Sequence, residues 1–471
     1  MNQVIFEKRY ILLIVLFIVS ILSSSYTAYY AQSDSWQAGV ARVDITPKDS
    51  LWMGGYASRD HTAEGTLHKL WSKALAVVDK NGNRGVIVTN DILGFPKDIS
   101  DNIKERCKKE YQLEKPQIIL SSSHTHSGPA VRNNLDLVYP LSEDHIKDIE
   151  NYSIELENRI VDLIGKALEN LISVQLFSDN GVARFQINRR NNNARTLSVQ
   201  TDLNGPNDYA VPVLEVRKMN EELYTTLFGY ACHPTVLNSY KWSGDYPGFA
   251  QLALEEKYSE ATAMFFQGCG ADQNPLPRRS VSLAKQYGQE LAAAVERIIE
   301  DESDPISAEL KTGYTEVEIF FSSPPKIETL EELAADTTLY SYQQKWVKQM
   351  LSKIKDGEQI PKSYPYPIQI WKLGSQTIIA LGGEVVIDYA IKLKRIFGND
   401  IFVMGYCNDV MGYIPTTRVL REGGYESRQA QMVYGLPSTW KADIEVRILQ
   451  SVIDLAKKIG IEILEPQLFS N

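Results

Sequence analysis

Short apolar runs rich in β-branched residues recur along the chain. Polar residues or glycine close each one, and amphipathic segments of helical spacing lie between many of them. Runs of this kind predict strands buried on both faces. Residues 84–91 form the first, followed by helical spacing over 99–111. The next strand, 116–121, leads directly to His124, and a long helix is expected over 143–171. The strand 225–230 leads to His233, and helical spacing resumes over 248–258. Residues 263–266 run into Gly268–Asp272, followed by a helix over 282–300. Residues 377–381 run into Gly382-Gly383-Glu384, 401–406 into Asn408-Asp409, and a last helix covers 442–459. This alternation predicts an α/β fold, a layered core of mixed or parallel sheet with flanking helices. Residues 324–367 break the pattern with prolines and one charged helix over 328–354. They are expected to leave the core and border the cleft.

The polar residues of interest follow the strand ends. Open α/β sheets build their sites there, in the crevice beyond the carboxyl ends of the strands. With six histidines in 471 residues, finding His124 and His126 two positions apart is notable. On a strand both would project to one face. A neutral imidazole is a common metal ligand, and the small residues Ser121–Ser123, Gly128 and Pro129 allow close approach. The other reading is a pair of hydrogen-bonded core histidines, and the same choice stands for His233 before Pro234. Glu384 ends an apolar strand, where an unpaired carboxylate is costly to bury. Either a metal or another cation answers it, or it caps a helix. Asp272 and Asp91 pose the same question.

Composition narrows the class. With 44% hydrophobic and 23% charged residues the chain is an ordinary globular protein, and its length alone allows two to four domains. Residues 1–31 are expected to be an export signal: Lys8 and Arg9 precede the apolar run 11–22, and small residues follow. The run is short for a membrane span, and no cysteine follows it to carry a lipid. Export to the periplasm or the exterior is therefore expected, an uncleaved anchor being the alternative. Losing Glu7, Lys8 and Arg9 takes the net charge from −10 to about −11. A body that acidic repels phosphate backbones and excludes nucleic acid as a partner. The four cysteines show no Cys-x-x-Cys spacing, which leaves a thiolate zinc cluster unsupported.

Several motifs resemble the neutral/alkaline non-lysosomal ceramidase family. They are Ala38–Pro47, Met53-Gly54-Gly55-Tyr56-Ala57, His124-Thr125-His126-Ser127-Gly128-Pro129, Ile187-Asn188-Arg189, His233-Pro234, Gly382-Gly383-Glu384 and Tyr413–Thr417. They stand in the family's order over about residues 38–440. The resemblance implies one catalytic domain over 32–471 and a zinc amidase. One Zn2+ per chain would be held by His124, His233, Glu384 and Tyr413. His126, Arg189 and Tyr425 would contact the substrate or the developing oxyanion, with Asp272 and Asn274 completing the site. Zinc-activated water would cleave an N-acyl amide, ceramide or another lipid or small conjugate.

This chain departs from the family twice. Asn274 stands where the family's Gly-Asp-Val-Ser-Pro motif has serine, so a serine-acyl route is closed while a zinc-water route survives. The β-sandwich module that follows the family's catalytic domain is expected to be missing, which removes its contribution to membrane docking. Other readings are ester or acetyl cleavage on a glycan, a non-catalytic zinc-containing binding protein, or phosphoester hydrolysis at a second metal on Asp91 and Asp272.

Overall fold

The computed structural model describes residues 35–200 and 202–464. The expected export signal over 1–31 lies outside the described residues. None of the described helices is long and apolar enough to cross a membrane.

Eight strands form the larger sheet, in the order Thr262–Gln267, Leu223–Tyr230, Ala210–Lys218, Ile172–Val182, Trp36–Asp44, Trp71–Val78, Arg84–Asn90 and Ile118–Ser122. Only the outermost pair at each edge is parallel; the interior is antiparallel. A smaller sheet orders Leu310–Phe320, Ser363–Leu373, Gln376–Leu381 and Phe402–Met404. The fold is thus α/β with mixed sheets, as the pattern predicts.

Side-chain alternation shows how the layers stack. On the larger sheet Leu75, Ile87, Leu214, Leu227 and Phe266 meet Trp371, Ile378, Phe402 and Met404 of the smaller one. The intervening residues point outward: Val86, Val88 and Leu120 toward the helices Lys97–Tyr111 and Glu143–Glu169, and Phe228 and Phe265 toward Asp245–Lys257 and Val281–Ile299. The far face of the smaller sheet carries Ile368, Ile370 and Ile379 against Ile387–Phe397 and Ile444–Lys458. Helix, sheet, sheet and helix make four layers. An antiparallel strand caught between another sheet and a helix is buried on both sides, so its sequence reads like that of a parallel strand.

Close sheet contact needs small residues opposite large ones. A Cβ on Gly85 would stand 2.4 Å from the ring of Trp371, whose indole N–H is fixed to the Pro116 carbonyl at 2.8 Å. The single helix expected over 328–354 is in fact two, Ile327–Ala335 and Ser341–Lys355. Asp336 ends the first by accepting hydrogen bonds from the N–H and hydroxyl of Thr338. The pair is inserted in the hairpin of the smaller sheet and has its own apolar cluster of Leu330, Trp346, Val347 and Met350. Trp346 fixes it to the Leu436 carbonyl at 2.8 Å.

The segment 405–408 joins the sheets. Gly405 N–H donates to Gln267, Asn408 N–H to Leu120, and Cys407 N–H to Leu381, while Tyr406 accepts from Ser122 N–H. Tyr406 and Asn408 hold positive φ, 54° and 66°, strain that the surrounding bonds must hold. Beside them burial pushes the Asp409 carboxyl up to about 7, against a lowering hydrogen bond from Tyr364.

Two outcomes follow from this packing. Gly85→Ala should lower the free energy of unfolding, measured by chemical denaturation, by about 1–3 kcal/mol, because the ring it meets is pinned. Asp409 stays protonated in the folded chain above the pH at which the unfolded chain ionises, so it stabilises fully below about pH 4 and loses that stabilisation as pH rises to about 7. Asp409→Asn should flatten this part of the stability profile and raise stability at pH 8 by a few kcal/mol at about 1.4 kcal/mol per pKa unit. A profile unchanged by the substitution would show that Asp409 does not carry it.

Candidate metal centre

Three strand ends deliver the site. The strand Ile118–Ser122 stops two residues before His124, and His124 itself takes a left-handed φ of 62°. His124 and His126 therefore come together through a turn, not as same-face neighbours of a strand. Thr125 holds this turn, its hydroxyl donating to the Ser243 carbonyl and accepting from Ser127 N–H. His126 N–H donates to the Pro234 carbonyl, which ties the turn to the His233 loop. Glu384 and Tyr413 are direct partners in a short parallel pairing. Gly55, at φ 100°, leaves room for His126: a Cβ there would lie 2.5 Å from the imidazole.

The nitrogen and oxygen atoms converge. His124 Nε2 and His233 Nε2 each lie 3.2 Å from Glu384 Oε2, and His126 Nε2 lies 3.3 Å from His124 Nε2. The Nδ1 atoms of His124 and His233 sit 2.6 and 2.7 Å from the carbonyls of Leu93 and Gly270. A carbonyl only accepts, so each Nδ1 carries the proton and each Nε2 presents a lone pair. Burial favours the neutral rings, holding His126 well below its ordinary range and His233 down at about 4. Burial also opposes charge on Glu384. What holds it well below the ordinary carboxylate range is positive charge and hydrogen-bond donation from the direction of His124 and His233, a role a cation would take over once both Nε2 atoms are lone pairs.

Lone pairs thus face a carboxylate with no proton between them. His233 Nε2 and Glu384 Oε2 are buried with no hydrogen-bond partner among the described residues. Buried polar atoms without partners are rare and call for an explanation. A cation answers all of them together, and carbonyl-oriented histidines are the usual support of a metal. The ligating atoms of His124, His126 and His233 all lie within 4.8 Å of one another, so these three can hold a metal ion. Glu384 is the nearer companion of His124 and His233, since His126 approaches only His124 at hydrogen-bond range.

The other expected residues line a cleft of about 860 Å3 above these atoms, among them His126, Arg189, His233, Asn274, Tyr413 and Tyr425. Arg189 donates to the Tyr413 hydroxyl at 3.2 Å and to Glu426 at 2.8 Å. Tyr425 stacks edge-on to Tyr413 with ring centroids 5.4 Å apart. The residue is 38% exposed, yet desolvation on the cleft side and the charge of Glu384 raise its phenol. Asp272 lies behind the cleft. Its carboxylate accepts from the N–H of Ile387, at the start of a helix, and from Asn188, and burial pushes it up to about 6. Asp91 belongs to a different polar cluster, accepting from Trp71 N–H beside Lys73, His68 and Gln251.

Sequence reasoning passed over two residues. Tyr434 donates to the free oxygen of Glu384 at 2.6 Å, and Glu426 holds both Arg189 and Arg190. Tyr434 is fifty positions from its partner and carries no motif. Glu426 directly follows Tyr425, a proximity that could have revealed it.

The fold and site define an α/β/β/α protein with a buried histidine–carboxylate pocket at its strand ends, able to hold a metal ion. The family profile described as neutral/alkaline non-lysosomal ceramidase, N-terminal, matches residues 36–281, and the chain belongs to that family. Neutral ceramidase B of Dictyostelium discoideum is 27% identical over 234 residues, which is 47% of this chain and 32% of that protein. Neutral ceramidase 2 of Arabidopsis thaliana is 34% identical over 94 residues, 19% of this chain and 12% of the relative. The chain matches about a third, or less, of the length of these curated relatives. The crystal structure of neutral ceramidase from Pseudomonas aeruginosa superposes with a TM-score of 0.70 at 20% identity, covering 91% of this chain and 76% of that one.

Tyr434→Phe removes the hydrogen bond that orients Glu384. In a competition titration against a chelator, the variant should bind divalent metal about 10- to 100-fold more weakly than the wild type. Equal affinities would exclude Tyr434 from this support.

Proposed function

We propose that the chain is a zinc-dependent amidohydrolase that cleaves N-acyl amides, ceramide-like conjugates included. The convergence of His124 Nε2 and His233 Nε2 on Glu384 Oε2, at the base of a cleft in a ceramidase-family chain, carries the reading. His124, His233, Glu384 and Tyr413 would hold the metal, a nitrogen and oxygen set suited to zinc. Zinc bound there supplies Lewis acidity and makes water nucleophilic near neutral pH.

The protein's own groups do the rest. His126, kept neutral by burial, offers a second imidazole beside His124 that can accept a proton or hydrogen-bond the substrate. Tyr425 keeps its phenolic proton and donates it as a hydrogen bond to negative charge developing on the carbonyl oxygen. Arg189 holds the Tyr413 hydroxyl in place and adds a fixed positive charge. Asn274 has an amide rather than a nucleophile at the cleft wall, so it can orient the substrate but not form an acyl intermediate. Asp272 acts as a positioning residue that fixes Asn188, next to Arg189, and the start of the helix Ile387–Phe397.

Purified protein should contain about one zinc per chain and hydrolyse a short N-acyl amide, and His233→Ala should lose both. Full amide turnover by metal-free His233→Ala protein would sink the assignment.

A further inference from the structure

The charge at the cleft rim is opposite in sign to that of the chain as a whole. The net charge is −10, yet the charged residues at the rim are the arginines Arg189, Arg190, Arg278 and Arg279 and the glutamates Glu422 and Glu426. Both glutamates are already used. Glu426 binds Arg189 and Arg190, and Glu422 binds Arg190. Among the described residues Arg278 and Arg279 form no ion pair. Arg278 donates only to the Thr235 hydroxyl at 3.3 Å, and Arg279 to the Tyr56 hydroxyl at 2.9 Å. Asp245 interacts electrostatically with both without forming an ion pair, and its carboxylate accepts from the N–H groups of Val236, Leu237 and Tyr246.

Adjacent guanidinium groups repel each other. Burial, then the positive charges of Arg279 and Arg189, hold Arg278 below its ordinary basicity. Arg279 also keeps a positive φ of 89°, a conformation disfavoured for any residue but glycine. The pair is close to the chemistry. Tyr56 lies between, its ring 4.8 Å from His126 and 5.1 Å from the Arg279 guanidinium, so the two are no more than about 10 Å apart. On the same wall the side-chain oxygen of Asn274 is buried with no hydrogen-bond partner among the described residues. A substrate N–H or O–H would satisfy it.

We infer that Arg278 and Arg279 form a subsite for an oxyanion, and that the amide substrate carries a phosphate, sulfonate or carboxylate beside its scissile bond. The amide part rests on the function proposed above; the oxyanion part rests on the two arginines. Guanidinium forks match the geometry of such anions, and of the two it is the half-buried Arg278 whose pairing outweighs one in open water, Arg279 being exposed at the rim.

The test compares two N-acyl amides of the same acyl chain, one with a neutral hydroxyl headgroup and one with that hydroxyl phosphorylated or sulfated. The ratio of their kcat/KM values should favour the anionic amide by about ten- to a hundredfold in the wild type, mostly through KM. In Arg278→Gln/Arg279→Gln, checked for an unchanged melting curve, the ratio should collapse toward one. Equilibrium binding of the anionic amide is measured in parallel on both proteins and should weaken by a similar factor in the variant. Arginine-dependent binding without turnover would keep the subsite and overturn the amidase. Turnover of both amides with a ratio near one, or a preference that survives in the variant, would overturn the subsite and keep the amidase.

Discussion

Three polar groups that share a buried pocket arrive from separate strands, and a four-residue stretch holds those strands in register. Segment 405–408 bonds to Leu120 and Ser122, just before His124, to Gln267, on the strand beside the one that leads to His233, and to Leu381, just before Glu384. Tyr406 also places its ring 4.4 Å from that of His124. The relative positions of the Nε2 atoms and the carboxylate are thus set by backbone hydrogen bonds between layers. Such bonds are rigid, and a buried ion pocket needs that rigidity because its ligands repel one another when no cation is present.

The four-layer stack explains why the seam exists. Each sheet buries one face on the other and one on helices, so strand ends from both sheets open on the same side of the molecule. The two-helix insertion between Leu310–Phe320 and Ser363–Leu373 packs through Trp346 on the segment that carries Tyr434. It therefore packs on the segment that orients Glu384 instead of standing apart from the core.

Electrostatics separates the pocket from its surroundings. Below lie three imidazoles and one carboxylate, their polar atoms turned toward one buried pocket. Above lie four arginines, two of them paired with glutamates and two that form no ion pair among the described residues. A substrate spanning both would meet a cation-seeking base and an anion-seeking rim, which is a basis for selectivity beyond the scissile bond.

The sequence alone made several parts legible. Hydrophobic runs and helical spacing located six of the twelve strands in the two sheets, those at 84–90, 118–122, 223–230, 262–267, 376–381 and 402–404, and the helices 97–111, 143–169, 245–257, 281–299 and 444–458 to within a few residues, because periodicity is a local property. The motifs also named His124, His126, His233, Glu384, Tyr413, Arg189, Tyr425 and Asn274, and the fold gathers them around one pocket and cleft. What it could not resolve was partner choice. Burial on both faces reads the same whether a strand lies in a parallel sheet or between two stacked layers, so the antiparallel interior and the four-layer stack were hidden. The His-x-His pair meets through a left-handed turn that a strand reading cannot anticipate. The role of Tyr434, and the lack of an ion pair on Arg278 and Arg279 among the described residues, depend on residues far away in the chain, and only the tertiary structure decides which charges have partners.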